Sequence, residues 1–356
     1  MKRFLGAVNG GKAIGFLTLG LLLIGTLSVQ AQTFAGKTIQ VITGYPAGGG
    51  TDAAARMMAQ YMPRYLPGNP ATVVRNMPGA DGLLAANYFA QQVAPDGLTI
   101  MMMSSTQSDP HIYRKPQSKQ DPTRLVVVGG IGRGGTVLIL RKDAQSRLTS
   151  RGAAPVIMGV TGAVPRSGMQ AAAWGVEALG WNVRWVTGYR GTEDLVLALE
   201  RGEIDMTATG NMFQLQKLTE SGKYVIASQS GSFVDGKFVA RPDFGDALLM
   251  PEKIGEKMSR GLQSQAFAYW ANLTAIDKWV VLPTETPQEF RDLYRRAFAE
   301  TLRDPQFIEQ SKKMGDDFVP MSAEDVELLV RRLGGTPPEA IAYIDDMLRK
   351  QGLSVE

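Results

Sequence analysis

A glycine-rich turn between a strand-like segment and an amphipathic segment constrains the fold of this chain more than any other feature. The turn covers residues 45–52 (Tyr-Pro-Ala-Gly-Gly-Gly-Thr-Asp) and follows the strand-like residues 38–43. In residues 53–65 the apolar side chains recur at the period of a helix, which predicts a buried helical stripe. Three successive glycines let the backbone turn tightly and leave its N–H groups uncovered. The pattern therefore predicts a strand, a tight turn and a helix.

The predicted turn has the properties of an anion-binding site. We expect Thr51 or Asp52 to cap the helix, whose first N–H groups and positive dipole end face the turn. The turn lacks the Gly-Lys-Ser/Thr sequence of a nucleotide-binding P-loop. It also lacks the third glycine of the dinucleotide-binding pattern, because position 53 is alanine. The alternative is a tight turn that binds nothing, and the stretch alone leaves both open.

Strand-like and helix-like segments alternate along the chain, which predicts an α/β fold with right-handed crossovers. Residues 99–103 form a continuous apolar run, typical of a parallel strand that is buried on both faces. Ligands of such sheets bind beyond the carboxyl ends of the strands, where we expect the turn 45–52 and Ser104. The glycine-rich residues 129–135 lie between two apolar strands and are a candidate crossover into a second lobe. Residues 231–244 are predicted to form a loop.

A second strand–turn–helix unit lies in the middle of the chain. The apolar residues 155–160 lead into a turn of small residues, 161–168, and then into a helix predicted for 169–179 with Ser167 as its N-cap. Further along, Thr192 is expected to cap a helix that runs to Arg201. Two such units, one in each lobe, would direct a helix N-terminus toward the cleft from either side.

Residues 1–31 have the features of a secretory signal peptide. A basic start precedes an apolar run at 13–27, and Val29-Gln30-Ala31 is a small-x-small cleavage site. The apolar run is shorter than the roughly 20 residues that a membrane-spanning helix needs, so cleavage near Ala31 is favoured over a membrane anchor. The sequence therefore predicts a periplasmic protein.

The charge and the residue types exclude several classes of function. The chain has 38 Lys and Arg against 34 Asp and Glu, and Lys2, Arg3 and Lys12 belong to the signal peptide. The mature chain is therefore almost neutral, which gives nucleic-acid binding no support. There is no cysteine, and His111 is the single histidine. These residues give no disulfide and a poor metal site, so no metal or cofactor is predicted.

Several motifs resemble those of the extracytoplasmic solute receptors of tripartite tricarboxylate transporters, the Bug-type solute-binding proteins. In the N-terminal part they are residues 45–52, 76–82 (Asn-Met-Pro-Gly-Ala-Asp-Gly) and 94–100 (Ala-Pro-Asp-Gly-Leu-Thr-Ile). Further along they are Tyr189-Arg190-Gly191 with Asp194-Leu195, then 202–205 (Gly-Glu-Ile-Asp), 304–307 (Asp-Pro-Gln-Phe) and Met314-Gly315. The resemblance covers most of the mature chain.

The resemblance implies an α/β fold of two lobes, the type II periplasmic binding protein or Venus-flytrap fold, with a hinge of crossover strands. The implied division is a signal peptide at 1–31, lobe 1 at 32–134 plus 264–356, and lobe 2 at 135–263. In the family a small carboxylate is held between two strand–helix turns, largely by backbone N–H groups, hydroxyls and ordered waters. Carried over, these turns are 45–52, which we call the first jaw, and 161–167, the second jaw.

The ligand-binding residues implied by the resemblance lie in the two jaws and on the neighbouring strand ends. They are Tyr45, Ala47, Gly48, Gly49, Thr51, Asp52, Ser104, Thr161, Gly162, Ser167, Tyr189, Arg190 and Asn211. Arg166 is an open alternative, because an arginine fork can bind a carboxylate bidentately. No catalytic residue is implied.

The chain departs from the family pattern at three places. Asp109 precedes Pro110 where the family usually has asparagine, the helix around 147–154 is shortened, and no proline-rich stretch is recognisable in 246–261. These departures affect the identity of the ligand rather than the fold.

The favoured hypothesis is a binding protein, expected to be a monomer, that captures a small organic carboxylate and delivers it to the permease subunits of a tripartite transporter. Aromatic acids are as open as citrate-like ones. One alternative is a receptor that signals to a membrane sensor kinase. The other is a periplasmic enzyme, which is disfavoured because the chain has no Gly-x-Ser-x-Gly sequence, no cysteine and one histidine.

Overall fold

The computed structural model describes residues 34–133, 135–258, 260–313 and 318–354. The predicted signal peptide and the motif Met314-Gly315 lie outside the described residues. Within these ranges, no helix is both long enough and apolar enough to cross a bilayer.

Strands occur throughout the described ranges. They are β1 (Thr38–Thr43), β2 (Ala71–Asn76), β3 (Thr99–Ser104), β4 (Val126–Arg133), β5 (Val137–Arg141), β6 (Val156–Thr161), β7 (Val183–Tyr189), β8 (Met206–Thr209), β9 (Tyr224–Gln229), β10 (Ser232–Val234), β11 (Lys237–Val239), β12 (Leu248–Leu249), β13 (Ile276–Leu282) and β14 (Phe318–Met321).

Helices alternate with the strands and then dominate the C-terminal part. They are α1 (Gly50–Tyr61), α2 (Leu83–Gln92), α3 (Ser105–Ser108), α4 (Pro110–Tyr113), α5 (Gln170–Leu179), α6 (Thr192–Arg201), α7 (Met212–Glu220), α8 (Met250–Lys257), α9 (Leu262–Ala275), α10 (Gln288–Arg303), α11 (Pro305–Lys313), α12 (Ala323–Gly334) and α13 (Pro338–Lys350). Short 3₁₀ turns lie at Met62–Tyr65, Ala80–Gly82, Pro122–Arg124, Lys142–Arg147, Ser167–Met169 and Pro242–Phe244.

Twelve of these strands form two six-stranded sheets of similar topology, which differ in that the edge strand β14 is antiparallel to β4 whereas β12 is parallel to β9. The first sheet has the order β14-β4-β13-β3-β1-β2, and the second has the order β12-β9-β5-β8-β6-β7. In each sheet three strands that follow one another along the chain are parallel, and one strand from elsewhere in the chain, β13 or β5, is inserted antiparallel to both neighbours. The α/β class is confirmed. Parallel pairing brings the carboxyl ends of β1, β2 and β3 to one edge, and those of β6, β7 and β8 to one edge of the second sheet.

Most of the glycine-rich residues 129–135 belong to strand β4, which differs from the predicted crossover. The strand continues to Arg133, and the chain enters the second sheet at Val137. Helices α10 and α12 pack directly on these glycines, because a Cβ on Gly129 would lie 2.5 Å from Phe298 Cδ1 and one on Gly130 would lie 2.5 Å from Val326 Cγ2. Gly129 and Gly130 therefore allow close helix-on-sheet packing.

Residues 231–244 form a hairpin of β10 and β11 where a loop was predicted. The hairpin docks on α12, where the Asp325 carboxylate accepts hydrogen bonds from the N–H groups of Asp235 at 3.1 Å and Gly236 at 2.8 Å. Phe233 is buried in the same hydrophobic cluster as Val326. The alternation of apolar residues in the hairpin is too short to be distinguished from a loop, so tertiary contacts decide it.

Helices α9 and α13 lie in the hydrophobic cluster of the second sheet. Phe267 and Trp270 of α9 pack there against Trp174 of α5, and Ile344 and Met347 of α13 are buried in the same cluster. The predicted division assigns most of these two helices to lobe 1. The boundaries at 134/135 and 263/264 stay a prediction. The C-terminal helices pack on both sheets, α12 mainly on the first and α13 on the second.

The close packing on β4 makes a stability prediction. Gly130→Ala should lower the free energy of unfolding by about 1–3 kcal/mol, because the added methyl group meets a branched, buried side chain. Gly255→Ala in α8 is the matched control, since an added Cβ there meets nothing within 4 Å and alanine favours a helix. Urea unfolding midpoints of both variants check this, and equal midpoints would contradict the packing argument.

Candidate ligand-binding site

The first jaw leads directly into α1, but its cap differs from the predicted one. The helix begins at Gly50, its N-cap is Gly49, and no side chain caps it. The expectation that Thr51 or Asp52 is the N-cap is therefore wrong. Both residues already lie in the first turn of the helix. The cap with its extended backbone is Gly49, two residues before Thr51, the first residue that side-chain preference favours as a cap.

Asp52 braces the first jaw from within the helix. Its Oδ2 accepts hydrogen bonds from the Gly48 N–H at 2.8 Å and from Arg56 Nε at 2.9 Å, and its Oδ1 accepts one from Asn76 Nδ2 at 2.8 Å. The residue is only 2% exposed. Burial by itself raises the pKa of Asp52, but the hydrogen bonds from Arg56, Gly48 and Asn76 outweigh it and hold the pKa below the ordinary carboxyl value. The turn is thus held by an ionised, fully engaged carboxylate.

Tyr45 and Ser104 join the first jaw to the end of β3. The Tyr45 hydroxyl lies 2.6 Å from Ser104 Oγ, and Gln107 Nε2 donates to the Tyr45 hydroxyl at 3.2 Å. Ser104 also caps the short helix α3 in a capping box with Gln107. Gln107 Nε2 reaches the Asp81 carbonyl at 2.6 Å, which ties in the turn before α2. Three chain segments therefore meet at Tyr45.

The motif at 76–82 ends in a glycine, Gly82, that lets the backbone of its turn pack closely against the backbone at Gly44. A Cβ on Gly44 would lie 2.6 Å from the Cα of Gly82, so the two glycines pack against each other. The neighbouring residues Ala80 and Asp81 have φ angles of +48° and +55°, a region that side-chain-bearing residues rarely adopt. The hydrogen bond of Gln107 to the Asp81 carbonyl holds this strained turn beside the first jaw.

The second jaw begins where β6 ends. Thr161 pairs with Tyr189 of β7, and the Gly162 N–H donates to the Tyr189 carbonyl at 3.1 Å. The Thr161 hydroxyl donates to Met169 Sδ at 3.7 Å. The helix opens with the 3₁₀ turn Ser167–Met169, and its N-cap is Arg166 without a side-chain hydrogen bond.

Ser167 is therefore not the predicted N-cap but the first residue of the turn, with a φ of +50°. The next residue packs closely on the crossover into β5, since a Cβ on Gly168 would lie 2.1 Å from Thr136 Cγ2. The Ser167 carbonyl accepts a hydrogen bond from Trp270 Nε1 at 3.0 Å. The similar prediction for Thr192 is also wrong, because Gly191 is the N-cap and Thr192 is the first residue of α6.

The second jaw opens into a cavity of about 230 Å³. Its lining comes from the end of β8, from the turns and helix starts that follow β6, β7 and β8, and from Thr136, which precedes β5. The lining residues are Thr136, Arg166, Ser167, Gly168, Met169, Thr192, Glu193, Ala208, Thr209, Gly210, Asn211 and Gln214. The cavity therefore lies at the starts of three helical segments, the 3₁₀ turn before α5, then α6, then α7.

Asn211 organises one side of this cavity. Its Oδ1 accepts a hydrogen bond from the Gln214 N–H at 3.1 Å and caps α7, while its own N–H donates to Thr209 Oγ1 at 3.1 Å. The Thr209 hydroxyl contacts Gln214 Oε1 at 3.1 Å. This small network fixes the polar side chains that face the cavity.

The structure brings together only part of the predicted site. Ser167 and Asn211 line the cavity, and so does Arg166, which the sequence left open. Arg190 lies elsewhere: its side chain is 93% exposed and pairs with Asp194 at 3.4 Å. Tyr189 is half-buried beside the second jaw. In the first jaw Ala47, Gly48 and Gly49 are exposed and Thr51 is half-buried.

The first jaw contributes no residue to this cavity among the described residues. All the predicted ligand contacts stay predictions, in the first jaw and at Ser104 as well as at Thr161, Gly162, Ser167, Tyr189, Arg190 and Asn211. A ligand in the cavity would meet the first jaw only if the two jaws approached each other.

Several lining residues were not predicted from the sequence, among them Thr136, Thr192, Thr209 and Gln214. The signal for Thr209 was present, since it is the last residue of a buried strand whose carboxyl end lies at the binding edge. Thr136 carries no such signal. It reaches the cavity because the crossover into β5 passes Gly168 at close range.

No protein-family model matches the chain. A UPF0065 protein of Cupriavidus necator is 34% identical over 119 residues, which are 33% of this chain and 34% of that protein. BugT of Bordetella pertussis is 38% identical over 78 residues, 22% of this chain and 23% of that protein. The chain thus spans about a third or less of the length of the curated relatives it matches.

Solved structures cover far more of the chain. A TctC solute binding protein from Polaromonas has a TM-score of 0.65 at 17% identity, covering 88% of this chain and 99% of that one. An R. palustris protein has a TM-score of 0.50 at 20% identity, covering 89% of this chain and 98% of that one. These likenesses show the fold, that of a two-lobed periplasmic binding protein. Together with the relatives they confirm the resemblance to Bug-type solute-binding receptors.

The lowered pKa of Asp52 makes a pH prediction. Its ionised form stabilises the fold above the ordinary carboxyl pKa of about 4, and this contribution is lost as the pH falls through the lowered pKa. Asp52→Asn should therefore lower the melting temperature at neutral pH, and the difference from the unaltered protein should shrink in strong acid. Asp246→Asn, which changes an exposed carboxylate, should match the unaltered protein throughout. A difference for Asp52→Asn that stays constant with pH would contradict this role.

Proposed function

We propose that the protein is a periplasmic solute-binding receptor that captures a small organic carboxylate between its lobes. In this proposal it acts as a monomer and delivers the ligand to the membrane permease of a tripartite tricarboxylate-type transporter. The observation that supports it is the cavity in the second lobe, where three helix starts meet beside Arg166.

The chemistry of this cavity suits a carboxylate. The first N–H groups of a helix have no intrahelical acceptor, and the helix dipole favours negative charge at that end. The hydroxyls of Thr192 and Thr209 add polar contacts, and the guanidinium of Arg166 can add a charge-assisted fork. These groups replace the hydration that a bound carboxylate loses.

The first jaw supplies the other half of the proposed clamp. Its glycines are exposed, and the N–H groups of Gly50 and Thr51 open α1 without intrahelical acceptors. Asp52 is already saturated by Gly48, Arg56 and Asn76, so it braces the turn and leaves the backbone to bind. Closure of the lobes over the ligand would be a hinge motion that contacts to both jaws stabilise.

A relative of the same fold supports the ligand class. The R. palustris protein with a TM-score of 0.50 was solved with adipate, a dicarboxylate. That ligand belongs to that protein, and its identity does not carry over at 20% sequence identity. Two structural neighbours are named as binding proteins, the TctC solute binding protein from Polaromonas and the periplasmic binding protein BugD, which supports a role without catalysis.

Thermal unfolding against a ligand panel tests the proposal. The panel contains aliphatic and aromatic carboxylates, amino acids, sugars and metal cations. A ligand at 100 times its dissociation constant adds about 2.7 kcal/mol and should raise the melting temperature by a few degrees. We expect shifts with carboxylates; shifts with sugars or cations alone would overturn the anion-binding argument.

The two arginines near the second jaw provide a matched pair of variants. Arg166→Gln should weaken carboxylate binding about tenfold or more, since a hydrogen bond to a charged group contributes about 1.5–3 kcal/mol. Arg190→Gln should change the dissociation constant little, because that side chain is exposed and paired with Asp194. Calorimetric titration with the best ligand of the panel measures both. The reverse result would assign the contact to Arg190.

Transport itself requires a separate test in cells. Uptake of the identified carboxylate should need both this protein and its permease, while binding by the purified protein should not need the permease. Binding that persists without any permease-dependent uptake would favour a receptor that signals to a membrane sensor.

A further inference from the structure

A single continuous segment, residues 269–279, contacts the second jaw and the residues 104–109 that support the first jaw, and we call it the bridge segment. It comprises the end of α9 and the first half of β13, so it passes from the second lobe's hydrophobic cluster into the first sheet. Three of its side chains donate hydrogen bonds to groups in or beside the two jaws. They are Tyr269, Trp270 and Trp279.

Trp270 holds the second jaw. Its ring is 2% exposed and packs against Phe267 and Trp174, which anchors α9 to the second lobe. Its Nε1 donates to the carbonyl of Ser167 at 3.0 Å. Ser167 lines the cavity and has a φ of +50°, so its peptide needs an external contact to keep this conformation.

Tyr269, which precedes Trp270, contacts the segment that follows β3, and β3 pairs with the strand that leads into the first jaw. Its hydroxyl donates to Asp109 Oδ1 at 2.9 Å, and the His111 N–H donates to the same oxygen at 2.8 Å. Asp109 ends the short helix α3 that Ser104 caps. Since Ser104 Oγ lies 2.6 Å from the Tyr45 hydroxyl, the contact reaches the first jaw through two side chains.

Trp279 adds a second contact to the same strand end. Its Nε1 donates to the carbonyl of Ser104 at 3.0 Å, and its ring is fully buried in the first lobe. The bridge segment therefore contacts the first jaw's support at two points and the second jaw at one. All three contacts therefore come from one stretch of eleven residues.

We propose that the bridge segment holds the two jaws in register, with Tyr269 and Trp270 as positioning residues that touch no ligand. Losing the Tyr269 hydroxyl would free the 104–109 segment from the second lobe. The free-energy cost of ordering the 104–109 segment would then weaken ligand binding. The effect on ligand affinity rests on the function proposed above, whereas the effect on jaw position does not.

Asp109 gives the proposal a conservative test variant. Burial raises the pKa of its carboxyl group, although the His111 N–H and the Tyr269 hydroxyl work in the opposite direction. An asparagine Oδ1 accepts the same two hydrogen bonds without a buried charge. Asp109→Asn should therefore keep the contact, while Asp109→Ala should lose it.

The absence of cysteine allows the jaw positions to be measured directly. Spin labels on Gln91→Cys in α2 and Arg184→Cys in β7, both exposed positions, report one distance distribution between the lobes. Without any ligand, Tyr269→Phe and Asp109→Ala should broaden this distribution, and Asp109→Asn should not. The control is Tyr343→Phe, which removes a hydroxyl bonded to Gln263 and Glu177 within the second lobe's cluster.

Ligand affinity is the second readout. Tyr269→Phe should raise the dissociation constant about fivefold, the effect of losing one hydrogen bond, while Asp109→Asn and Tyr343→Phe should stay within about twofold. Distance distributions for Tyr269→Phe and Tyr343→Phe that both match the unaltered protein would overturn the proposal. If the unaltered protein binds no carboxylate, the proposed function fails, and the distance measurement still decides the role of the bridge segment.

Discussion

Parallel pairing of strands that follow one another along the chain is the constraint on which the candidate site depends. In the second sheet β6 lies between β7 and β8 and runs parallel to both, so their carboxyl ends share one edge. Each strand is followed by a turn and a helix. The three helix starts therefore converge, although they are far apart in the sequence. The cavity, its polar hydroxyls and the position of Arg166 all follow from this geometry.

The same arrangement recurs in the first sheet, and the two sheets are joined by their inserted antiparallel strands. Strand β5 leaves the first lobe after β4, and β13 returns from the second after α9. The chain can bend at these two strand crossings while each lobe keeps its core. Side chains close to the return crossing are well placed to set how the jaws face each other, which is where Tyr269 and Trp270 lie.

The parts of the fold that depend on local pattern were predictable. Strands β1, β3 and β6 and the helices after them follow from apolar runs, helical periodicity and small-residue turns. The helix caps were not predictable. The N-caps are Gly49, Arg166 and Gly191, where the sequence predicted Thr51 or Asp52, Ser167 and Thr192. Side-chain capping preference is worth about 1 kcal/mol, and the packing of Gly168 on Thr136 outweighs it at the second jaw.

The sequence by itself determined the α/β class, the glycine-rich turn of the first jaw and the small-residue turn of the second. These depend on backbone freedom and on burial of apolar side chains, which neighbouring residues largely decide. Only the tertiary structure decided that Arg166 faces the cavity while Arg190 faces solvent, and that Thr136 and Gln214 join the lining. It also brought Tyr269 to Asp109 across 160 residues of chain. Such contacts depend on strand order and helix packing, which no local pattern encodes.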